Sequence, residues 1–273
     1  MKDHLERLVA GHEPLRARNI AREYLQARIL GGLQRAGAMT ALAFQGGTCL
    51  RLIFGLPRYS EDLDFALERQ PPGYSLRGCL RTLRAELAAE GYRVDLRIRE
   101  RDAVHSALVR FGGILHGIGI SPRRTEVLAV RVEVDTRPPA GGTTDVSLVR
   151  RHEVLRLFHH DRASLLAGKL HAVLQRPYTK GRDLYDLIWY LSDPDWPPPN
   201  LDLLNASLRQ TQWRGPELTP NTWRTAVASR LEALDWDRAA ADVRPFLERL
   251  DDAALVTKDN ALRLLARVGA SSA

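Results

Sequence analysis

The stretch from Phe44 to Phe65, FQGGTCLRLIFGLPRYSEDLDF, constrains the fold of this chain more than any other. A short apolar run ending at Phe44 is typical of a strand, and it leads directly into Gly46 and Gly47. Thr48 then opens an apolar segment with helical spacing. Adjacent glycines let the backbone take a positive φ and approach a ligand closely, and the free amides at a helix start favour an anion. This half of the stretch predicts a phosphate-binding turn between a strand and a helix.

The other half carries Asp62 and Asp64, two residues apart in a segment typical of a second strand. Side chains alternate between the faces of a strand, so both carboxylates point to the same side. Two adjacent carboxylates repel each other unless a cation lies between them, and Mg²⁺ is the usual occupant of an all-oxygen site. An isolated Asp-x-Asp pair is more simply a solvent-facing acidic turn, but the upstream glycines and Ser60 favour a metal site. We therefore expect a two-ion Mg²⁺ site that acts on a nucleoside triphosphate (NTP).

Such a site needs a third carboxylate, because transfer chemistry on phosphates depends on metal ions and positioning rather than on covalent help from the protein. Apolar and polar residues alternate from 127 to 135, which places Arg131, Glu133 and Asp135 on one face of a predicted strand. Glu133 is the preferred third metal ligand because it lies in the middle of this strand. Asp135, nearer the strand end, is the alternative.

Other residues near the glycines are candidates for contacts with the nucleotide. The Thr48 hydroxyl either caps the helix or touches a phosphate. Arg51, one turn further along, either reaches the triphosphate or is an ordinary exposed helix charge. The residues predicted to bind the nucleotide are Gly46, Gly47, Thr48, Arg51, Ser60 and Lys169.

Lys169 is unusual because the 40 Lys and Arg residues are almost all arginine, and it lies in an otherwise apolar helical segment. The simpler explanation is a lysine whose stem is buried and whose amine reaches water. A lysine beside a triphosphate would offset the charge of the β and γ phosphates, and we favour that role.

Asp183 and Asp186 follow at positions i and i+3, on one face of the next predicted helix. Asp183 is also explained as a first-turn acid favoured by the helix dipole. Asp186 lies among apolar neighbours and needs a partner such as Lys169 or Arg182. The predicted catalytic set is Asp62, Asp64, Glu133, Lys169, Asp183 and Asp186.

The chain is long enough, at 273 residues, for two modest domains. A Pro- and Gly-rich breaker from Pro138 to Thr143 is the best boundary. Before it, periodicity predicts helices within 2–37 and 76–90 and strands near 94–98, 107–111 and 127–134. After it, helices are predicted nearly to the end, beginning with 162–174, capped by Asp161, and 181–191. We predict an α+β fold with a mixed-sheet domain at 1–140 and an α-helical domain at 141–273.

Composition narrows the class of partner and the compartment. The formal charge of +7 and pI near 9.8 favour a polyanionic partner. The two cysteines form no CxxC pair and no zinc-type cluster, which argues against a disulfide framework or a structural zinc. The charged N-terminus and the lack of a long apolar run predict a cytoplasmic protein that does not enter a membrane.

Taken in order, these motifs resemble those of a known family. The Gly-Gly-Thr turn, the string from Arg58 to Phe65, the strand around Glu133, Lys169 and the segment from Arg182 to Asp186 are similar to the motif series of the AbiEii/MenT-type nucleotidyltransferase-like toxins of bacterial type IV toxin–antitoxin and phage-abortive systems. The resemblance spans residues 41 to 191. Arg131 stands where many relatives have lysine.

The resemblance implies a polymerase-β-like nucleotidyltransferase domain followed by a helical domain, with the active site in the cleft between them. In that family the positions matching Gly47 and Thr48 grip triphosphate, those matching Asp62 and Asp64 bind metal, and those matching Lys169 and Asp186 are also required. Members studied as toxins transfer nucleotides from an NTP, some onto the 3′ end of tRNA, which stops translation until a cognate antitoxin intervenes.

We therefore expect a Mg²⁺-dependent nucleotidyltransferase toxin that transfers NMP from an NTP to RNA, with the tRNA 3′ end as the favoured acceptor. One alternative is a phosphotransferase that moves the γ-phosphate onto a protein such as the antitoxin. Another is a toxin without catalytic activity that acts by binding RNA. The three carboxylates argue against this last alternative, because binding alone would not need them to face a polyanion.

Overall fold

The computed structural model describes residues 2–69 and 74–267, and within these ranges the chain forms seven strands and eleven α-helices. The strands are β1 (Leu42–Gln45), β2 (Asp62–Leu67), β3 (Val94–Arg99), β4 (Val104–Gly112), β5 (Val127–Asp135), β6 (Thr144–Arg151) and β7 (Glu153–His160). The helices are α1 (Lys2–Val9), α2 (Pro14–Arg35), α3 (Gly46–Phe54), α4 (Leu76–Ala89), α5 (Ile114–Gly117), α6 (Arg162–Gln175), α7 (Gly181–Ser192), α8 (Leu201–Gln210), α9 (Trp223–Glu232), α10 (Trp236–Val243) and α11 (Lys258–Arg267). None of the helices in these ranges is both long enough and apolar enough to cross a membrane.

All seven strands form one sheet with the order β3-β4-β5-β2-β1-β7-β6. β2 runs parallel to β5 and β1 runs parallel to β7, whereas the β1–β2, β3–β4 and β4–β5 pairs are antiparallel. The predicted mixed sheet and the α+β class are therefore confirmed.

The two faces of the sheet differ in polarity, as the alternation in β5 illustrates. Its apolar side chains, Leu128, Val130, Val132 and Val134, are fully buried. α2 packs against β5, and α4 packs against β3 and α2. Helices thus cover the apolar face, while the charged residues of β5 lie on the opposite face.

Most predicted elements have the expected type. The strand–helix–strand order of the central stretch appears as β1, α3 and β2, and the side chain of Asp161 caps α6 by accepting from the amide of Ser164 at 2.8 Å. The prediction of a helical chain beyond residue 140 is wrong, because β6 and β7 follow the breaker and join the sheet beside β1. The alternation of apolar and polar residues is weak in β6, because the apolar residues Val146 and Leu148 lie on its exposed side. Polar residues at these positions would give the alternation that is typical of a strand.

The chain divides into two compact units whose boundaries differ from a single cut at 140. The first unit comprises 1–55, 59–138 and 145–159 and holds nearly all of the sheet, including the β6–β7 hairpin. The second comprises 56–58, 139–144 and 160–273 and holds helices α6 to α11. Arg58 thus belongs to the second unit although it lies between two parts of the first.

Candidate active site

The predicted metal-binding acids lie on two neighbouring strands of the first unit. Asp64 on β2 is in register with Glu133 on β5, and Asp62 is in register with Arg131. Asp135 is paired instead with Ala66, one strand repeat further along. Side chains of paired residues project from the same face of a sheet, so Asp62, Asp64 and Glu133 share the open face.

Gly46 brings the backbone close to these acids. Its φ of +76° lies in the left-handed region, and a Cβ added to it would lie 2.4 Å from Oδ2 of Asp64. Only glycine meets both conditions without strain. The predicted positive φ is confirmed for Gly46, and the group beside it is the carboxylate of Asp64. The approach of this backbone to a phosphate stays a prediction.

Thr48 connects α3 to β2 through its hydroxyl, which donates a hydrogen bond to the backbone carbonyl of Asp62. The side chain is fully buried. α3 begins at Gly46, with Gln45 preceding it, so the interpretation of Thr48 as the helix cap is wrong. Gly47 lies in the first turn of α3, and the carbonyl of Ser60 accepts a hydrogen bond from Nε2 of Gln26 at 3.1 Å.

Arg131 lies among the carboxylates. Its Nη1 is 3.3 Å from Oε1 of Glu133, and its Nε is 3.9 Å from Oδ1 of Asp62. In the part of the chain that the structure describes, no three His, Cys, Asp or Glu side chains converge as metal ligands would. The donor chemistry nevertheless suits Mg²⁺, because two aspartates and a glutamate supply only hard oxygen ligands. The half-exposed side chain of Arg131 is long enough to vacate the space among these oxygens.

Arg51 does not lie on the surface of α3. Its side chain is 3% exposed, forms an ion pair with Glu23 and stacks over the ring of Tyr59 at 4.1 Å. Glu23 also accepts from Nε of Arg151 at 2.9 Å. The expectation of an exposed helix charge at Arg51 is wrong, and its buried pairing leaves it no surface for a triphosphate.

In the second unit, a buried ionic cluster surrounds Asp186, which is fully inaccessible to solvent. Arg58 holds it in a bidentate pair, with Nε 2.5 Å from Oδ1 and Nη2 2.6 Å from Oδ2. Lys169 Nζ lies 2.7 Å from Oδ2 of Asp186 and 3.1 Å from Oδ1 of Asp183, and Arg176 lies 3.3 Å from Asp183. The predicted Lys169–Asp186 partnership is confirmed.

Arg58 is the residue of this cluster that sequence reasoning missed. The sequence offers Arg182 as a possible partner of Asp186, and the structure places the guanidinium of Arg182 over the ring of Phe246 at 4.2 Å. Arg58 stands just before Ser60 in the central stretch, 128 residues from its partner, and a local pattern carries no information about such a distant pairing.

The charges of the cluster reinforce one another. Burial raises the pKa of Asp186, but Arg58 and Lys169 outweigh this effect and hold the pKa below its ordinary value. The pKa of Asp183 is lowered in the same way, with Lys169 and Arg176 overcoming burial. Burial lowers the pKa of Lys169, yet the two carboxylates raise it overall. All three groups therefore stay charged around neutral pH.

Comparison with known proteins gives a consistent result. The sequence profile described as "Nucleotidyl transferase AbiEii toxin, Type IV TA system" matches residues 28–257. JHP933 from Helicobacter pylori has 20% identity and a TM-score of 0.56, with 93% of this chain and 94% of that chain covered. A second H. pylori structure, provisionally classed as a nucleotidyltransferase, has 21% identity and a TM-score of 0.52, with 92% and 96% covered. At these identities the structures support the fold alone. No curated protein matches the chain.

Proposed function

Because the chain belongs to the AbiEii family of nucleotidyltransferase toxins of type IV toxin–antitoxin systems, we propose that it transfers a nucleoside monophosphate from an NTP to the 3′ hydroxyl of an RNA. The favoured acceptor is the 3′ end of tRNA, whose modification would stop translation. The observation that carries the proposal is the register of β2 and β5, which places Asp64 directly beside Glu133. Asp62 lies two residues before Asp64, on the same open face of the sheet.

In this reaction the acceptor hydroxyl releases its proton and its oxygen forms a bond to the α-phosphorus. The bond between that phosphorus and the oxygen that bridges the α- and β-phosphates breaks, and pyrophosphate leaves. Asp62, Asp64 and Glu133 would hold Mg²⁺, which lowers the pKa of the attacking hydroxyl and offsets charge on the phosphates when bound. The carboxylates contribute fixed positions, since residues 62–66 of β2 are paired with residues 131–135 of β5. Without the metal, Arg131 neutralises part of the acid charge through its pairs with Asp62 and Glu133.

The start of α3, at Gly46 and Gly47, is the proposed seat of the triphosphate. The backbone amides at this helix start are suited to phosphate oxygens, and Gly46, with its positive φ, lies against the carboxylate of Asp64. Thr48 acts through its hydroxyl on the Asp62 carbonyl, which fixes the turn relative to β2. Ser60, at the entrance to β2, remains a candidate for a nucleotide contact.

Lys169 is proposed to offset triphosphate charge, with Asp183 and Asp186 orienting its amine. Its side chain is 13% exposed, which leaves the amine a limited surface for a ligand. Arg58 fixes Asp186 and therefore acts on Lys169 indirectly. The family also implies a cognate antitoxin that restrains the protein.

A direct test is to incubate the protein with total bacterial RNA, Mg²⁺ and each NTP labelled in turn on the α-phosphate. We expect label from one NTP in a tRNA-sized band and none with Asp64→Ala. Label that enters protein from the γ-phosphate alone would replace the proposal with the phosphotransferase alternative. Toxicity that survives Asp62→Ala and Asp64→Ala would favour a toxin that acts by RNA binding.

A further inference from the structure

The open face of the sheet continues beyond the acids across two more strands. Reading across the sheet from β2, Asp62 is followed by Arg131, Leu108 and Arg97, each in register with the next. The adjacent row runs from Asp64 through Glu133 and Ser106 to Arg99. Because paired residues project from the same face, the acids and the arginines of β3 lie on one surface.

This surface changes sign from one end to the other. The β2–β5 end carries the three carboxylates, whereas the β3 end carries Arg97 and Arg99, both exposed. Among the described residues Arg97 makes no ion pair, and Arg99 pairs only with the exposed Asp102. Exposed pairs of this kind contribute little free energy and yield readily to another anion. Arg110 on β4 pairs at 2.9 Å with Asp95 of β3 on the same face, so this pair adds no net charge.

We propose that Arg97 and Arg99 of β3 bind backbone phosphates of the single-stranded 3′ end of the acceptor RNA, so that its terminal hydroxyl reaches Asp62, Asp64 and Glu133. The proposal rests on the proposed function for the identity of the reacting end. Three strand spacings separate β3 from β2, about 14 Å, a span that a few nucleotides can cover. A basic groove that follows the backbone is the usual way to hold a single strand without reading its sequence.

β3 is an edge strand of the sheet, and charged side chains on an edge strand also serve to prevent its pairing with a strand of another molecule. We call this second role edge protection. Either sign of charge would prevent pairing with another strand. On the open face, the two positions beyond the acids are both arginine, and Leu108 and Ser106 between them carry no charge that would repel a phosphate. The charge pattern therefore favours a polyanion over edge protection alone.

The test compares Arg97→Ala/Arg99→Ala with a control of equal charge, Arg81→Ala/Arg84→Ala, whose arginines are exposed on α4. The probe is a fluorescent single-stranded RNA of about 12 nucleotides, within the range that such grooves bind. Binding is measured by anisotropy at several salt concentrations. We expect about tenfold weaker binding for the β3 variant and a salt slope smaller by about 1.4, since each lost phosphate contact removes about 0.7. The control should bind within about twofold of the unaltered protein.

Kinetics separate this inference from the proposed function. If label transfer occurs, the β3 variant should raise KM for RNA with kcat and KM for NTP unchanged, because its arginines touch neither the NTP nor the reacting atoms. If nucleotide transfer occurs and both double variants bind RNA equally well and have the same KM for RNA, the RNA-binding role of Arg97 and Arg99 is wrong. The proposed function is then unaffected. RNA binding that depends on Arg97 and Arg99 in a protein that transfers no nucleotide would refute the proposed function and leave the surface.

Discussion

At the scale of single residues, Gly46 is the most restrictive position in the candidate site. Its φ of +76° and the 2.4 Å between a built Cβ and Oδ2 of Asp64 make two separate demands for glycine. Gly55, at the other end of α3, has nearly the same φ of +77° but no atom within 4 Å of its built Cβ. Substitution of Gly55 therefore introduces backbone strain alone, whereas substitution of Gly46 also displaces the carboxylate of Asp64.

We expect Gly46→Ala to lower the transfer rate by about a hundredfold, because a shift of about 1 Å in a reacting group has that effect. Gly55→Ala should lose about 1 kcal/mol of stability from the left-handed conformation and keep its activity. Rates of nucleotide incorporation and urea unfolding measure the two effects. Equal activity in both variants would mean that Asp64 needs no fixed position beside the turn.

The buried cluster around Asp186 gives a second prediction. Asp186→Asn leaves Arg58 and Lys169 without their shared carboxylate, so we expect a loss of about 3–5 kcal/mol in the free energy of unfolding. The folded pKa of Asp186 lies below its unfolded value of about 3.9, so its contribution is present above that pH and is lost as the pH falls through the folded pKa. The variant should thus show a shallower loss of stability on acidification.

Urea unfolding at a series of acidic pH values measures this slope, with Asp237→Asn as the control because Asp237 is exposed on α10. An acid slope in Asp186→Asn as steep as in the unaltered protein would mean that other carboxylates set the acid stability.

The buried pairings of Arg51 and Arg58 could not be predicted from the sequence. α3 is buried on nearly all sides, so helical spacing could not reveal whether Arg51 faces water. Arg58 finds its partner 128 residues away, beyond the reach of any local pattern. The Asp-x-Asp pair and the glycine turn were legible because spacing of one or two residues determines their geometry.

At the scale of elements, strand register decides between the two candidates for the third carboxylate. Glu133 pairs with Asp64, whereas Asp135 pairs with Ala66 and accepts a hydrogen bond from the amide of Arg137 at 2.9 Å. The alternation of β5 in the sequence placed both acids on one face, but the neighbour of each depends on the pairing of β5 with β2. That pairing joins segments about 70 residues apart, and periodicity does not determine it.

We predict that Glu133→Gln lowers nucleotide incorporation by at least about a hundredfold, because metal ions supply several kcal/mol of transition-state stabilisation. Asp135→Asn should retain activity within about twofold, since its amide oxygen can still accept from Arg137. The opposite ranking would make Asp135 the metal ligand.

The strands β6 and β7 could not be predicted from the sequence pattern. Leu148 is 74% exposed and Val154 is 56% exposed, so apolar residues occur on the open side of this hairpin and blur the period of two. The strands before residue 140 were predicted because one side of each faces the helices and is consistently apolar.

At the scale of the whole molecule, the chain is a nucleotidyltransferase of the AbiEii family, and each of its two units holds some of the candidate residues. The first unit holds Gly46, Asp62, Asp64 and Glu133, and the second holds Arg58, Lys169, Asp183 and Asp186. Residues 56–58 and 139–144 belong to the second unit although segments of the first unit flank them in the sequence, and the second unit resumes at residue 160. A single boundary drawn from the proline- and glycine-rich breaker could not express this interleaving.

The most direct test of the account is a double-label measurement with Asp64→Asn as the matched variant. The protein is incubated with Mg²⁺, RNA and the NTP that it uses, labelled on the α-phosphate or on the γ-phosphate in parallel. We predict α-label at the RNA 3′ end, γ-label released as pyrophosphate, and a rate at least about a thousandfold lower for Asp64→Asn. Incorporation of the γ-label, or transfer by Asp64→Asn at the unaltered rate, would contradict the assignment of nucleotidyl transfer to these carboxylates.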